Sequence, residues 1–398
     1  MKKGWTYKKL GEICRIGIGR TPSRSDMSLW DKNKETQNYW VSIADMGATE
    51  NGYIADTKEY ISDKAAENIQ IIPKGTLLLS FKLTLGKTAI AGTDLYTNEA
   101  IANLPFIGNE VNREFLSYYF QFFNWEKYSA GDEKVLGKTL NKKKLDVLPV
   151  YYPSIKEQKR IVERLDAAFE QIDELKTNAE KQLAEARALF QKSLAKSMEP
   201  KEGWEEKTLK DVADFVRGPF GGSLTKSMFK SEGYAVYEQQ HAIHGHINIR
   251  YYIDSEKFKE MERFAVAAGD LIMSCSGVTL GRVNLLPSNT PIGIINQALL
   301  KMRVNEKIDV RFFKGWLEST HFQELLKSYS GGAAIPNVPA VKILKDINIS
   351  LPPLSEQQRI VERLDSISEN VRKYEEIQRK IIAECDALKQ ALLRQVFE

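Results

Sequence analysis

The sequence predicts an α+β protein in which two mixed α/β globular blocks are separated by two long helices. Two observations predict this fold: the 398-residue chain repeats itself, and each copy ends in a stretch with helical spacing of its apolar residues. We expect the two helices to pair as an antiparallel coiled coil, with a pseudo-two-fold relation between the copies. The predicted segments are a block at 1–153, a helix at 154–200, a block at 201–353 and a helix at 354–398.

The repeat is clearest at the end of each globular block. PSIKEQKRIVERLD at 153–166 and PPLSEQQRIVERLD at 352–365 agree at ten of 14 positions, an interval of 199 residues. Gly4-Trp5 recurs as Gly203-Trp204 at the same interval. Between these anchors the similarity is weak and the interval varies, which indicates loop insertions on a shared framework. We infer that the copies share one task and differ in another.

Within the blocks, short strands are expected at 77–81 and 270–274, each after a turn that contains glycine. Helices are expected at 113–123 and 310–326. The stretch HAIHGHINI at 241–249 is expected to be a loop or the edge of a strand, where the polar side chains are simply exposed at the surface or, as the second alternative, contact a ligand such as a base edge. A metal site at its three histidines is the less favoured alternative, because no cysteine lies nearby.

Two long helices follow the blocks, each about 42–44 residues or about 63–66 Å in length. The spacing predicts an apolar seam at Ile161, Leu165, Ala168, Ile172, Leu175, Ala179, Ala186 and Leu189, and at Ile360, Leu364, Ile367, Val371, Tyr374, Ile381, Cys385, Leu388 and Leu392. Capping boxes are expected at Ser154 with Glu157 and at Ser355 with Gln358. The alternative to pairing is that each helix packs on its own block.

Composition and motifs exclude several classes of protein. No apolar run is long enough for a membrane span, and the three distant cysteines fit a reducing cytoplasm, so we expect a cytoplasmic protein. Both GKT triplets lack the first glycine of a phosphate loop, since Phe81 and Asp132 stand at that position. No zinc-type cysteine pair and no base-methylation motif is present. We therefore expect neither catalytic residues nor a metal ion; an enzyme acting on DNA alone would need such a motif.

The proline-preceded EQxRIVxxLD motif, present twice with a long helix after each copy, resembles the specificity subunit of type I restriction–modification systems. The resemblance covers the whole chain: recognition block, helix, second recognition block, second helix. The matching positions are Pro153, Glu157, Gln158, Arg160, Ile161, Val162, Leu165 and Asp166, and in the second copy Pro352, Glu356, Gln357, Arg359, Ile360, Val361, Leu364 and Asp365.

This resemblance implies a subunit without catalysis of its own. It implies two modification subunits that carry S-adenosylmethionine and methylate adenine, and restriction subunits that use ATP. Each block would read one half of a bipartite, asymmetric site in double-stranded DNA, and the helices would space the halves and help to dock the modification subunits. The candidates for the partner interface are Glu157, Gln158, Arg160, Glu356, Gln357 and Arg359; the alternative is a solvated, capped helix start.

Basic and amide side chains are the usual contacts to phosphates and base edges. The candidates in the first block are Arg20, Thr21, Ser23, Arg24, Lys82, Lys87, Lys138, Lys142 and Lys143. The candidates in the second block are Arg217, Ser223, Lys226, Gln239, Gln240, His241, His244 and Arg282. For each candidate the favoured alternative is a solvated surface residue that reads no base. An adaptor that binds only proteins would also suit two blocks and paired helices, and duplex binding that requires a defined split sequence would distinguish the two functions.

Overall fold

A computed structural model of the chain describes residues 2, 4–47, 49, 52–129, 133–134, 137–329 and 336–398; at 133–134, 137–139 and 221 it describes the backbone only. The chain divides into two compact units. Unit 1 consists of Met1–Ala179 with Lys380–Glu398, and unit 2 consists of Glu180–Arg379. The division falls part-way along each long helix, so each unit contains one globular block and a segment of both helices.

Among the residues that the structure describes, unit 1 carries four small sheets and unit 2 carries three. The strands of unit 1 are β1 (Thr6–Lys9), β2 (Gly17–Ile18), β3 (Trp30–Asp31), β4 (Tyr39–Val41), β5 (Tyr53–Ile54), β6 (Glu59–Ile61), β7 (Leu77–Ser80), β8 (Lys82–Leu83), β9 (Thr88–Ala91), β10 (Tyr96–Thr97), β11 (Ile101–Leu104), β12 (Glu133–Lys134), β13 (Gly137–Thr139) and β14 (Pro149–Tyr152). The strand orders are β1-β14, β10-β4-β6-β3, β2-β11-β7-β9-β5 and β12-β13-β8. The α-helices are α1 (Leu10–Ile13), α2 (Asp63–Ala66), α3 (Arg113–Phe122), α4 (Trp125–Ser129), α5 (Lys142–Asp146) and the long α6 (Ile155–Ser197).

Unit 2 repeats this plan with three sheets. Its strands are β15 (Glu205–Thr208), β16 (Ala213–Arg217), β17 (Tyr234–Tyr237), β18 (Tyr252–Ile253), β19 (Ala265–Val266), β20 (Leu271–Ser274), β21 (Val283–Leu285), β22 (Gly293–Ile295), β23 (Leu299–Val304) and β24 (Asn348–Leu351). The orders are β15-β24, β16-β23-β20-β21 and β18-β17-β22-β19. The α-helices are α7 (Leu209–Val212), α8 (Gln239–His244), α9 (Ser255–Glu260), α10 (Val310–Glu318), α11 (Thr320–Ser328), α12 (Val341–Lys345) and the long α13 (Leu354–Phe397).

A two-stranded ribbon closes each globular block. In unit 1 the first strand pairs antiparallel with the strand that precedes α6, with Thr6 opposite Tyr152. In unit 2 the same register recurs, with Glu205 opposite Leu351. The first and last strands of each block therefore lie side by side, directly before the long helix. Loops between these two strands can diverge in sequence without disturbing the helices.

Both ends of the long helices belong to the cores. The start of α6 contributes Ile161, Val162 and Leu165 to the core of unit 1, and the end of α13 contributes Leu393 to that same core. In unit 2, the end of α6 contributes Leu194 and Met198, while the start of α13 contributes Ile360, Val361 and Leu364. Each helix thus packs on its own block and also completes the core of the unit that holds the other block.

The helices pair antiparallel, as predicted. In unit 1, Lys176 Nζ lies 2.8 Å from a carboxylate oxygen of Asp386, and Lys389 Nζ lies 2.6 Å from one of Asp173. In unit 2, Arg187 Nε lies 2.9 Å from a carboxylate oxygen of Glu375. In all three pairs the residue number falls on one helix as it rises on the other, which is the register of an antiparallel pair. The α+β fold with two recognition-type blocks and a coiled coil is confirmed.

The predicted seam is correct only in part. Ile172, Ala179 and Cys385 are buried, but Leu175, Leu189, Tyr374 and Leu388 are 57%, 59%, 40% and 49% exposed. At these points the inward heptad positions are held by the neighbouring residues Lys176, Phe190, Glu375 and Lys389, which are half-buried. Lys176, Glu375 and Lys389 are charged, and each pairs with an opposite charge on the other helix. A pattern of apolar residues cannot select them and selects the exposed apolar neighbour instead.

Three local predictions are corrected as well. The segment 310–326 forms two helices, because Ser319 has an extended backbone and caps the second one through its hydroxyl. Residues 241–244 of the stretch HAIHGHINI belong to the helix α8, whose C-cap Gly245 is in the left-handed conformation, while residues 245–249 form a loop, as expected. The second long helix starts at Leu354, so Ser355 lies inside it and the Pro353 carbonyl accepts the first amide bonds.

Candidate nucleic-acid interface

Two tryptophans fix the basic loop that follows β2 in unit 1. The indole Nε1 of Trp40 donates to the carbonyl oxygen of Arg20 at 3.2 Å, and that of Trp30 donates to the carbonyl of Ser23 at 3.0 Å. The two rings meet edge to face with centroids 5.1 Å apart. Because aromatic pairs of this kind are rigid, the loop backbone is held in place while its polar side chains face outward.

Arg24 is the most constrained cation of this loop. Its guanidinium pairs with both carboxylate oxygens of Glu59, one of them at 2.9 Å, and lies 3.9 Å from the ring centre of Trp30. The hydrogen bonds to Glu59 raise the pKa of Arg24 above its ordinary value. The side chain is still about half exposed, so a planar cation is presented in one orientation to an incoming ligand.

The carboxylate of Glu99 bonds to this loop and lies near the basic side chains of Arg24 and Lys82. The hydroxyl of Thr21 donates to Glu99, and this bond lowers the pKa of the Glu99 carboxyl, with smaller contributions from the charges of Lys82 and Arg24. Three of the predicted DNA contacts therefore surround one residue. Sequence reasoning missed Glu99, because a single acidic residue in a loop carries no signal of its own.

Lys87 and Arg282 occupy the same place in the two units. Each follows a short loop after a buried strand, and its carbonyl accepts a hydrogen bond from the last residue of that strand, Ser80 or Ser274, at 2.9 Å and 2.8 Å. The interval between the two basic residues is 195, which agrees with the interval of the Leu-Gly pair before them. Arg282 is exposed and Lys87 is half-buried.

The remaining candidates of unit 1 lie further along the chain. Lys142 and Lys143 are exposed on the first turn of α5, whose start Asn141 caps. Lys138 lies on β13, which pairs with β8 opposite Leu83, and its side chain is outside the described part of the structure. The pairing places the backbone of Lys138 beside the strand of Lys82.

In unit 2, Arg217 and Gln239 converge on one loop. Arg217 donates to the side-chain oxygen of Asn337 at 3.0 Å, and Asn337 bridges to the backbone of Ser276. The amide nitrogen of Gln239 donates to the carbonyl of Ser276 at 2.8 Å and to the hydroxyl of Thr279 at 2.9 Å. The amide nitrogen of Gln239 is thereby used within the unit. Its side-chain oxygen and the guanidinium of Arg217, both beside residues 276–279, retain hydrogen-bonding capacity for a base.

His241 is corrected from a DNA contact to a structural residue. It is 1% exposed, its Nδ1 accepts from the amide of Glu238 at 2.8 Å, and its Nε2 lies 2.9 Å from the carbonyl oxygen of Asn248. Both ring nitrogens are used inside the unit. His244 has an exposed position at the end of the same helix, and Gln240 donates to Glu238 at 3.1 Å.

Ser223 and Lys226 lie on two short 3₁₀ turns after β16. The Ser223 hydroxyl donates to the carbonyl of Phe220 at 2.9 Å, which uses it locally. Phe220, which the sequence analysis did not single out, is 68% exposed, and the guanidinium of Arg217 lies 5.6 Å from its ring centre. An isolated exposed phenylalanine after a Gly-Pro pair is a weak signal in a sequence.

A metal site finds no support in the described residues, where no three histidine, cysteine or acidic side chains are grouped to hold an ion. The three cysteines are free and buried. Burial raises the pKa of the Cys14 and Cys275 thiols to about 12. These thiols are therefore protonated at neutral pH and serve as small core side chains.

The two glutamines proposed for the partner interface act inside the chain. Gln158 is fully buried; its amide nitrogen donates to the carbonyls of Glu110 and Pro153, and its oxygen accepts from the amide of Asn112 at 2.7 Å. Gln357, 2% exposed, donates to the Pro352 carbonyl at 2.9 Å and accepts from the amide of Asp309 at 2.9 Å. Their polar groups lock the globular block to the helix start, which leaves no atom for another protein.

The charged members of the motif remain accessible. Arg160 pairs with Glu157 at 3.1 Å and Arg359 pairs with Glu356 at 3.5 Å, while the two arginines stay 65% and 78% exposed. Both pairs span one helical turn at the surface, where a salt bridge adds little to stability. These four residues stay candidates for contact with another protein.

The family model for the type I restriction modification DNA specificity domain matches the chain twice, at residues 2–185 and 201–382. The chain belongs to this family. It is therefore one of the specificity subunits of type I restriction–modification systems, with two DNA-recognition domains built from the globular blocks of units 1 and 2.

Three curated relatives come from Methanocaldococcus jannaschii. The MjaIX specificity subunit is 30% identical over 45% of this chain, a match that spans only 40% of that protein's own length. The MjaVIII specificity subunit is 23% identical over 94% of the chain and 88% of that protein. The putative MjaX specificity subunit is 27% identical over 94% of the chain and 87% of that protein.

Two solved structures share the fold. A structure described as the basis of complex assembly and conformational transition of the type I R-M system matches with a TM-score of 0.79 and 21% identity, over 100% of this chain and 98% of that one. The HsdS subunit from Thermoanaerobacter tengcongensis matches with a TM-score of 0.56 and 21% identity, over 100% of this chain and 97% of that one.

Among the described residues, no helix has the length and apolarity to cross a bilayer.

Proposed function

We propose that each recognition domain reads one half of a bipartite, asymmetric DNA site, and that partner subunits then methylate adenine and cleave DNA at the direction of this chain. The observation that carries the proposal is the contrast between the two units. They share the closing ribbon, the loop before Lys87 or Arg282 and the lock made by Gln158 or Gln357. They differ in what they present: Arg24 and Lys82 in one, Arg217 and Gln239 in the other.

The chemistry would reside on the partners. We propose that S-adenosylmethionine is bound by the modification subunits and ATP by the restriction subunits, with no cofactor on this chain. Support comes from the family match, which is to a specificity domain over both halves, and from the sequence, which lacks phosphate-loop and methylation motifs. Methylation of DNA by the purified chain alone would contradict this assignment. Absence of duplex binding would instead favour the protein-only adaptor.

Exchange of one recognition domain tests the proposal directly. Residues 201–353 are replaced by the corresponding block of a specificity subunit with a different, known half-site, and the complete complex is expressed in cells. We expect the methylated adenine of one half-site to stay and the other half-site to change, because each block carries its own side chains. Mapping of methylated adenine in cellular DNA is the measurement, and a change in both half-sites would contradict the proposal.

The structure sets one condition on the donor block. Gly315 on α10 lies against the end of α6: a Cβ at this position would meet the Met198 side chain at 2.9 Å and that of Leu194 at 3.5 Å. A donor with alanine at this position would require the flexible end of the Met198 side chain to shift, so glycine is the simplest choice there. A reciprocal exchange of block 1–153, with 201–353 unchanged, is the matched control and should alter the opposite half-site.

Two modification subunits per chain are also proposed, and the exposed apolar positions on the long helices support this number. Leu175 and Leu388 are exposed in unit 1, and Tyr374 and Leu189 are exposed in unit 2. Leu175 corresponds to Tyr374 and Leu189 to Leu388 at the repeat interval of 199 residues. Each unit therefore offers one pair of such side chains that has a counterpart in the other unit; Ile377 of unit 2, 55% exposed, has Asn178 at the corresponding position. Exposed apolar groups on a charged surface are typical of protein contacts.

Aspartates at one pair should remove one modification subunit. We expect the double variant Leu175→Asp with Leu388→Asp to bind one modification subunit per chain where the unaltered chain binds two, because burying two carboxylates opposes docking. Native mass spectrometry of the assembled complex measures this number. Leu189→Asp with Tyr374→Asp should give the same loss in unit 2, and Val147→Asp, an exposed position on the block, should have no effect. Two bound subunits in every variant would refute docking at these pairs.

A further inference from the structure

Both units build the same loop after their central buried strand. In unit 1 the hydroxyl of Ser80 donates to the carbonyl of Thr84 at 2.5 Å, and Gly86 closes the loop with a backbone bond to Ser80 at 3.0 Å. In unit 2 the Ser274 hydroxyl donates to the Thr279 carbonyl, and Gly281 bonds to Ser274 at 3.0 Å. We call these segments, 81–85 and 275–280, the latched loops.

The first residue of each latched loop is also held by two backbone hydrogen bonds to neighbouring segments. The amide of Phe81 donates to Ala100 at 3.0 Å, and its carbonyl accepts from Leu140 at 3.0 Å. In unit 2 Cys275 makes the same two bonds, to Ala298 at 2.9 Å and from Val338 at 2.9 Å. The two serines are fully buried. The loops are therefore rigid backbone structures and not loose connections, even though their sequences have diverged.

An exposed apolar side chain, here called the tip, lies in each latched loop; in unit 1 it is Leu83 on the short strand β8, opposite Lys138, and in unit 2 it is Val278 on a 3₁₀ turn. Val278 is 104% exposed, the full exposure of a valine side chain, and it follows Gly277, whose φ is 75°. Leu83 is 52% exposed and itself has a φ of 65°, a conformation that L-residues other than asparagine and aspartate seldom adopt. Such strain in a non-glycine residue persists where function needs the geometry.

The tip of unit 2 lies among the groups best suited to bind DNA. Gln239 donates to Ser276 and Thr279 on either side of Val278, and the Asn337 that holds Arg217 bridges to Ser276. Arg282 follows the loop and is exposed. In unit 1, Lys82 precedes Leu83 and contributes to the charge around Glu99. Val278 is therefore an exposed apolar side chain beside polar groups, and the matching feature of a ligand would be an apolar one.

Thymine supplies that feature in duplex DNA. Its C5 methyl is the apolar group that a base pair displays in the major groove, where the other marks are hydrogen-bond donors and acceptors. We propose that Val278 contacts the methyl group of one thymine in the half-site of unit 2, and that Leu83 does the same in the half-site of unit 1. This inference rests on the proposed function and adds the chemical feature that each tip recognises.

Removal of single methyl groups from the DNA tests the proposal. Duplexes carry the mapped site with one thymine at a time replaced by deoxyuridine, and their dissociation constants are measured with the complete methylating complex. We expect one thymine of the unit 2 half-site at which deoxyuridine weakens binding about fourfold, the value of one buried CH₂-sized group. For Val278→Ala, the same replacement at that thymine should have no further effect.

Matched variants separate this contact from general effects. Ile292→Ala changes another exposed aliphatic side chain of unit 2, 66% exposed, and should leave the deoxyuridine pattern as it is in the unaltered complex. Leu83→Ala should abolish sensitivity at a thymine of the other half-site only. Because Val278 makes no buried contact, its replacement should not alter the thermal unfolding temperature of the chain.

Three results would overturn the proposal. In the first, no thymine of the half-site is sensitive to loss of its methyl group. In the second, a sensitive thymine keeps its sensitivity in Val278→Ala. In the third, Val278→Ala weakens binding equally on every sequence, which would indicate a contact to the DNA backbone. Failure of the proposed function looks different: the unaltered complex would then bind duplexes that lack the split sequence as tightly as those that contain it.

Discussion

Leu393→Ala is expected to destabilise unit 1 by about 2–5 kcal/mol, although this residue follows the second globular block in the chain. Leu393 is 1% exposed and belongs to the core formed by the first block and the start of α6. Truncation of a buried leucine removes its burial and leaves a cavity that the surrounding helices and strands fill only in part. The loss should therefore appear in the block that is most distant from Leu393 in the sequence.

Hydrogen exchange of the backbone amides measures where stability is lost. We expect faster exchange in β7 and β11 of unit 1 for Leu393→Ala, with β20 and β23 of unit 2 unchanged. Leu194→Ala is the reciprocal variant: Leu194 is 2% exposed in the core of unit 2, so exchange should rise in β20 and β23 only. Equal acceleration in all four strands would contradict a structure in which each core receives the end of the other helix.

The sequence predicted the periodic and repeated parts of this fold well. Strands β7 and β20, helix α3 and the two long helices follow from turn signals, apolar spacing and the duplicated motif. The antiparallel pairing followed from the need of each heptad helix for a partner. The sequence could not predict that the ends of the helices also complete the cores. Leu194 and Leu393 resemble any other leucine of the long helices.

Charged residues explain why the predicted seam deviates. Glu375 holds an inward position and is only 17% exposed, because Arg187 and Arg379 neutralise it; these bonds lower the pKa of its carboxyl. Periodicity of apolar residues passes over such a position and selects Tyr374 instead. Heptad positions filled by ion pairs can be found from sequence only after the register of the partner helix is known.

The candidate DNA surface was predictable in its residue types and not in its contacts. The basic residues Arg24, Lys87 and Arg282 were identified from their residue type and local sequence, and the structure gives Lys87 and Arg282 equivalent places. The wrong predictions concern buried residues. His241 and Gln158 are polar, as expected of a ligand contact, but they are buried and their partners are backbone groups of the same unit. A polar residue in a sequence does not reveal whether its partner is a ligand or the fold itself.

Shortening both long helices by one heptad is expected to abolish binding to the original site. The deletion removes residues 177–183 and 379–385, and it keeps the ion pairs Lys176–Asp386 and Arg187–Glu375 in their register. Seven residues correspond to about 10 Å of helix. If the helices set the distance between the half-sites, the spacer should become about three base pairs shorter, since one turn of about 10 base pairs spans ~34–36 Å.

The size of the effect follows from the difference between specific and non-specific binding. A site whose second half is out of reach retains only the phosphate contacts common to all sequences, so we expect affinity for the original site to fall by about 10³-fold or more. Adenine methylation should move to sites with the same half-sites and a shorter spacer, which sequencing of cellular DNA detects.

Deletion of 177–183 alone is the control: it shifts the seam of one helix against the other and should impair folding. An unchanged spacer in the matched deletion would show that the helices do not measure the site, because the two recognition domains would then reach both halves regardless of the length of the coiled coil.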